Sequence, residues 1–213
     1  MLHEFPPVDE ANEDGLLAVG GDLSIESLLS AYRKGIFPWY NRRPILWWFM
    51  NPRFVLFPEK IKISKSLNRE MQRHGFQFTI NTAFRRVMTE CKLITRKGNP
   101  GTWIQQEMID AYTHLQESGY AQSAELWDKE ELIGGLYGVR MGKIFFGESM
   151  FSKKSNASKI AFVKMVNQLK KEGVVMIDCQ TYSKHLENFG AEMIDGILFS
   201  RILDENLNFK ETK

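Results

Sequence analysis

Followed for its alternation of apolar and polar positions, the chain changes texture near residue 62. Before that point punctuation dominates: FPPVDEANEDG, AVGGDLS and KGIFPWYNRRP are rich in Pro, Gly, Asp and Asn, which favour turns over regular elements. Between them, SIESLLSAYRKG repeats apolar residues at helical spacing. Ile25, Leu28, Leu29 and Tyr32 share one face, Ser24 is a good N-cap and Gly35 a good stop. Phe37, Trp39, Tyr40, Trp47, Trp48 and Phe49 follow, so residues 1–61 are expected to form a small, irregular domain packed through aromatics and ending near RFVLFPEKIKI.

Residues 62–213 are expected to form a second, more regular domain. SKSLNREMQRHG reads as a helix with Lys65, Arg69 and Arg73 on one stripe, four residues apart. TAFRRVMTECKLI buries Phe84, Val87, Met88 and Cys91 and shows Arg85, Thr89 and Lys92. After a loop, RKGNPGTW, the helix QQEMIDAYTHLQESG turns Met108, Ala111, Tyr112 and Leu115 inward and stops at Gly119. Three strands then alternate with short turns, YAQSAELW, LIGGLYGVR and IFFGESMF, and form an antiparallel meander. A helix, ASKIAFVKMVNQLKKEG, precedes VVMIDCQ, an apolar run whose polar end marks a buried strand delivering side chains to a site. A short helix, SKHLENFG, and a last strand, AEMI, complete an α+β pattern with a mixed sheet flanked by helices.

Composition narrows the classes. At 213 residues and 43% hydrophobic the chain can bury a real core. No apolar run approaches the ~20 residues that span a bilayer, and MLHEFPPVDE lacks the features of a secretory leader, so a cytoplasmic protein without membrane contact is expected. Cys91 and Cys179 lie in apolar segments and suit buried thiols. His3, His74, His114 and His185 share no ligand-like spacing, and no metal site is expected. The net charge of +2 is unevenly spread: from Lys60 to Lys97 ten Lys or Arg face only Glu70 and Glu90, so this segment carries +8 and the remainder −6. Such a segment suits a polyanion, because neutralising phosphates is the main source of nucleic-acid affinity.

The candidate chemistry lies in FFGESMFSKKSNASK and IDCQ. If the strand continues regularly, Glu148 shares a face with Phe146 and Met150, an acid beside apolar side chains that needs a cationic partner or a raised pKa. Asp178 and Gln180, two apart, are expected to project together at a strand end. Ser155 and Asn156 can cap the next helix, whose entrance, with Lys153, Lys154 and Lys159, suits an anion. No Walker or dinucleotide motif is present, and the glycosylation sequon at Asn156 has no secretory context. An acyl-CoA acetyltransferase is disfavoured because the helix entrance lacks the pyrophosphate-holding glycine pattern. A non-catalytic RNA-binding module leaves Asp178 and Gln180 without a use.

The blocks NEDGLLAVGGDLSIESLLSAYRKGIFPWY, PILWWFMNPR, GTWI, SAELW, LIGGLYGV, FFGESMFS, NASK and IDCQ, in that order, resemble the bacterial leucyl/phenylalanyl-tRNA-protein transferases over nearly the whole chain. The resemblance implies transfer of Leu or Phe, less readily Met, from aminoacyl-tRNA to proteins with N-terminal Arg or Lys, marking them for N-degron degradation. It also implies a Gcn5-related acetyltransferase-like catalytic domain that needs no cofactor and no metal; a monomer is expected. By the same resemblance Trp48, Trp103 and Tyr112 lie near the tRNA end and substrate. Glu148 and Met150 line the pocket, and Ile177, Asp178 and Gln180 stand at the reaction centre. Phe145 adds to the apolar wall. Asp178 is expected to orient the incoming amine, with Gln180 relaying a proton or steadying the tetrahedral centre. Arg69, Arg73 and Arg85 are expected to meet the tRNA body, and Lys153, Lys154 and Lys159 the acceptor-end phosphates.

Overall fold

A computed structural model of the chain describes residues 4–73, 75–94 and 103–207. His3, His74, Arg96, Lys97 and most of the loop expected at RKGNPGTW lie outside the described residues, Trp103 excepted. Seventeen helices and strands follow in the order β1 (Leu16–Val19), α1 (Ile25–Arg33), β2 (Phe37–Pro38), β3 (Leu46–Trp48), β4 (Arg53–Leu56), α2 (Lys65–Arg73), β5 (Gln77–Ile80), α3 (Phe84–Leu93), α4 (Gln106–Glu117), β6 (Ala121–Asp128), β7 (Glu131–Met141), β8 (Ile144–Ser152), α5 (Ala157–Lys171), β9 (Met176–Asp178), α6 (Lys184–Glu187), β10 (Glu192–Ile194) and α7 (Gly196–Leu207).

The strands form two sheets. A three-stranded sheet, β1-β3-β2, belongs to the small N-terminal unit, and a mixed seven-stranded sheet, β10-β4-β9-β8-β7-β6-β5, carries the larger one. The expected meander is β6, β7 and β8, paired antiparallel. The sole parallel contact among the described strands joins β8 to β9, where Ile144, Phe145 and Phe146 face Met176, Ile177 and Asp178. After Phe146 that pairing stops while β8 runs on to Ser152, so the sheet opens into a notch between the two strands. This mixed sheet flanked by helices is the acetyltransferase-like architecture expected of the larger unit.

In and around the large sheet, three elements escaped the periodicity. β5 is a short, half-exposed edge strand and α7 follows the strand taken as the last. β4, from the stretch RFVL, lies before residue 61 in the chain yet sits inside the large sheet between β10 and β9. All four of its residues are buried, so no period-2 alternation marked it as a sheet-centre strand.

Both faces of the large sheet are covered. On one, α3, α4 and α7 pack with the N-terminal unit, and Tyr32, Tyr112, Phe146 and Phe199 belong to this single cluster. On the other, α5 contributes Ile160, Val163 and Leu169 against Leu136, Phe145 and Ile177. α1 begins as expected, with Ser24 Oγ accepting from the Ser27 N–H. It stops at Gly35 in the left-handed region, φ +72°, where a Cβ would lie 2.4 Å from the Phe199 ring, so only glycine fits.

Candidate active site

The cavity occupies the notch between β8 and β9 and holds about 420 Å³. Six of the residues expected at a site line it: Trp103, Phe145, Glu148, Met150, Ile177 and Gln180. Asp178, Trp48 and Tyr112 are absent from its wall, and each instead holds a residue that is present.

Glu148 reaches the cavity through a β-bulge. The register of β7 with β8 passes from Tyr137↔Ser149 to Gly138↔Gly147, so Glu148 is the extra residue. A bulge bends its strand and re-aims side chains, which overturns the expectation that Phe146, Glu148 and Met150 share one face. Phe146 packs against Tyr32 on one side of the sheet, and Met150 joins Phe145 and Ile177 on the other. Gly138 stands opposite the bulge, where a Cβ would meet the Phe146 carbonyl at 2.3 Å and the Phe145 ring at 2.5 Å, so its absence makes room for that cavity-lining ring.

The Glu148 carboxyl accepts a hydrogen bond from the Tyr32 hydroxyl at 2.6 Å, and the Tyr32 oxygen in turn lies 2.5 Å from the Tyr112 hydroxyl. Burial is the main reason its pKa is pushed up to about 8, with the Asp178 charge adding to the rise; the Tyr32 hydrogen bond and the Arg53 charge oppose it. No lysine, arginine or histidine among the described residues forms an ion pair with Glu148.

Asp178 differs. It is fully buried, and its carboxylate is taken by Arg53, whose Nε donates to Oδ1 at 2.8 Å and Nη2 to Oδ2 at 2.6 Å. The Gln180 backbone N–H donates to the same Oδ1 at 2.9 Å. Gln180 has φ +57°, so the chain turns out of the strand after Asp178 and the two side chains do not project together as expected. The turn sends Gln180 into the cavity, 9% exposed, with its Nε2 unpartnered.

Arg53 is the site-supporting residue that sequence reasoning missed. It is 0% exposed, stacks 4.6 Å from the Phe199 ring and 4.9 Å from the Phe37 ring, and also donates to the Gly35 carbonyl. The signal was an arginine opening the apolar run RFVLF, since a buried arginine needs a carboxylate. Trp39 was also passed over. It is 42% exposed, lines the cavity together with Trp103, and its carbonyl accepts from Trp48 Nε1 at 2.7 Å. Trp48 therefore braces Trp39 edge-on at 5.9 Å and stays out of the cavity.

The expected cations divide. Arg69 and Arg73 are exposed on α2 and make no ion pair among the described residues. Arg85 pairs with Asp110 at 2.7 Å, Lys153 with Glu90 at 2.5 Å, and Lys154 with Asp128 at 2.8 Å. At the entrance to α5, Asn156 is left-handed and does not cap, which corrects that expectation: its Nδ2 donates to Glu70, while Ser152 Oγ receives the Ser158 N–H. Lys159, half-buried, faces His185, whose pKa is lowered by burial first and by that lysine second. Among the described residues no group of three His, Cys, Asp or Glu could hold a metal, and no helix is long and apolar enough to cross a membrane.

A mixed sheet splayed over a largely apolar cavity, with an amide and a carboxyl in its lining, is the architecture of the Gcn5-related acetyltransferase type. Residues 55–204 match the family model for leucyl/phenylalanyl-tRNA protein transferase, and residues 21–49 match the model of that family's N-terminal domain. The chain belongs to this family of aminoacyltransferases. It is 52% identical to the leucyl/phenylalanyl-tRNA-protein transferase of Christiangramia forsetii, covering 94% of this chain and 96% of that protein. It is 51% identical to the transferase of the same description from Flavobacterium johnsoniae, covering 93% and 94% respectively. Among solved structures, L-PGS from Bacillus licheniformis overlaps 72% of this chain and 65% of its own at a TM-score of 0.47 and 15% identity.

Proposed function

We propose that the notch between β8 and β9 is where a protein's amino terminus meets the ester of a charged tRNA. The protein is an aminoacyltransferase that moves Leu or Phe from aminoacyl-tRNA to the N-terminal Arg or Lys of acceptor proteins, which marks them for N-degron degradation. It acts in the cytoplasm, where charged tRNA and finished proteins coexist. One observation carries the site assignment: an apolar wall, an unpartnered amide and a carboxyl without a protein cation all open into the same cavity.

The reaction is ester aminolysis. The acceptor's α-nitrogen attacks the aminoacyl carbonyl, a C–N bond forms, and the ribose oxygen of the terminal adenosine leaves and takes a proton. The ester is already activated, so no step needs ATP. The α-amine, with a pKa of about 7.7–8.0, is partly neutral near pH 7, and holding it in line contributes more than a strong base.

In this reading Phe145, Met150 and Ile177 receive the Leu or Phe side chain. Apolar pockets separate guests differing by a methylene by only ~1–3 kcal/mol, and methionine adapts to both branched and planar guests, so leakage to Met is expected. Trp39 and Trp103 stack on the terminal adenine. Glu148 meets the cation of the acceptor's first residue. Gln180 donates its free amide hydrogen to the carbonyl oxygen as that oxygen gains charge. Asp178 is a positioning residue: clamped by Arg53, it holds the Gln180 backbone in the conformation that aims the side chain. Arg69 and Arg73 meet phosphates of the tRNA body.

The test is to incubate the purified chain with Phe-charged tRNA and a peptide starting with Arg, and to weigh the product. Gln180→Ala is expected to bind the charged tRNA normally and to lower transfer about a hundredfold or more, the usual cost of losing one oxyanion donor. Transfer within a few fold of the parent, with tRNA binding intact, overturns the role given to Gln180.

A further inference from the structure

We propose that Tyr32 and Tyr112 form a hydrogen-bonded chain that sets the proton state of Glu148, so that the enzyme takes up a cationic acceptor by exchanging a proton for it. Tyr32 and Tyr112 are positioning residues in this scheme, acting through Glu148 and touching no substrate. The inference rests on the reading that Glu148 meets the acceptor's positive charge.

The chain has a definite polarity. The Tyr32 proton is committed to Glu148 Oε1 at 2.6 Å, so in the 2.5 Å contact between the two hydroxyls Tyr112 is the donor. Each hydrogen bond therefore points toward the carboxylate, and each polarises the next. Both phenols are fully buried, and burial, followed by the Glu148 charge, raises their pKa values; they remain protonated donors throughout the working range. They come from three separate places, α1 in the N-terminal unit, α4 and the β8 bulge, and meet only in the assembled fold.

Hydroxyl donors lower the cost of the ionised form without cancelling its charge. With those donors alone, Glu148 in the empty cavity holds its proton into the neutral range, and burial is the reason. A guanidinium or ammonium entering the cavity supplies the missing charge and releases the proton. Of the other groups around this carboxyl, Asp178 and Arg53 are paired with each other, and Tyr40, felt by Tyr112, donates to Glu107 at 2.6 Å. Of the remaining titratable cavity residues, burial holds Cys179 as a thiol and lowers the pKa of His185, leaving both uncharged above neutral pH. Glu148 is thus a cavity-lining group that gains charge as pH rises toward 9.

The consequence is a specificity device. Below its midpoint the cavity presents a neutral acid, and only a guest whose cation outweighs the cost of releasing the proton is held. Neutral first residues gain nothing from the exchange.

The experiment compares kcat/KM for a peptide starting with Arg, with Phe-charged tRNA, between pH 6 and 9.5 in the parent, Tyr32→Phe and Tyr112→Phe. The peptide's own amine titrates identically in all three, so any difference belongs to the enzyme. In the parent, kcat/KM rises with pH to a plateau. Tyr32→Phe is expected to move the midpoint up by about one pH unit or more, the worth of a hydrogen bond to a charged group. Tyr112→Phe moves it less, in the same direction, and below the midpoint both raise KM more than they lower kcat. Calorimetry of peptide binding to the parent at pH 7, in buffers of differing ionisation enthalpy, is expected to find close to one proton released. It also decides the matter if Tyr32→Phe does not fold. An unshifted midpoint in Tyr32→Phe, or no proton release in the parent, overturns the inference. Undiminished preference for Arg over Ala peptides in Glu148→Gln overturns the underlying reading instead.

Discussion

Two carboxylates on neighbouring strands, Glu148 of β8 and Asp178 of β9, stand at the same notch and have opposite fates. Asp178 is sealed in a two-point ion pair with Arg53, backed by aromatic rings and a backbone N–H, and does not line the cavity. Glu148 has two tyrosines beside it and no ion-pair partner among the described residues. A buried carboxylate that the protein neutralises is a strut, and one left short of positive charge is a socket for someone else's cation. On the proposed reading, the contrast separates the group that holds the geometry from the group that meets the substrate, although the two are chemically alike.

Removing the strut has the largest expected effect. Asp178→Ala strands Arg53 as an uncompensated buried charge, which costs about 3–5 kcal/mol of stability, seen as a lower urea midpoint with unchanged slope. Replacing both partners by leucine recovers part of the stability and none of the transfer. Equal stability of the single and double variants would break the distinction between strut and socket.

Emptying the socket has a smaller effect with a pH signature. Glu148→Gln is expected to lower kcat/KM for an Arg peptide by roughly 2–3 kcal/mol, some tens to a hundredfold. The folded-state pKa, pushed up to about 8, lies above the ordinary value of 4.5, so the folded state holds this proton more tightly than the unfolded one. Stability linked to the group is therefore full below about pH 4.5 and falls as pH rises toward 8. The glutamine variant removes that loss, and its Tm relative to the parent is expected to be higher at pH 9 than at pH 5. Equal differences at both pH values would place Glu148 in water, outside any socket.

The smallest effect belongs to the aromatic mouth, which neither carboxylate touches. Trp39→Ala is expected to weaken binding of charged tRNA by about 1–3 kcal/mol, with the acceptor's KM unchanged. Trp48→Phe, which removes only the brace on the Trp39 carbonyl, costs about 1 kcal/mol or less.

Much of this was legible along the chain. The meander, α1, α4 and α5 stand where their periodicities placed them, because each buries one long face and carries its own stop or cap. The acid at 148 and the polar end of IDCQ also stood out, since polar residues in apolar strands need a reason. What misled was regular alternation. One extra residue at Glu148 and one left-handed residue at Gln180 each change which way the following side chains point, and neither leaves a period to detect. Tyr32 read as helix packing, which is locally correct, and Arg53 fell in the stretch expected to end the small domain.

By itself, then, the amino-acid sequence determined most elements of the larger unit, the family and the presence of two acids near one strand pair, because these follow from short-range spacing and from blocks of residues. Tertiary structure alone decided which acid is neutralised. The partners lie far off in the chain, Arg53 125 residues before Asp178 and Tyr32 116 residues before Glu148, and a carboxyl's charge depends on what surrounds it in space.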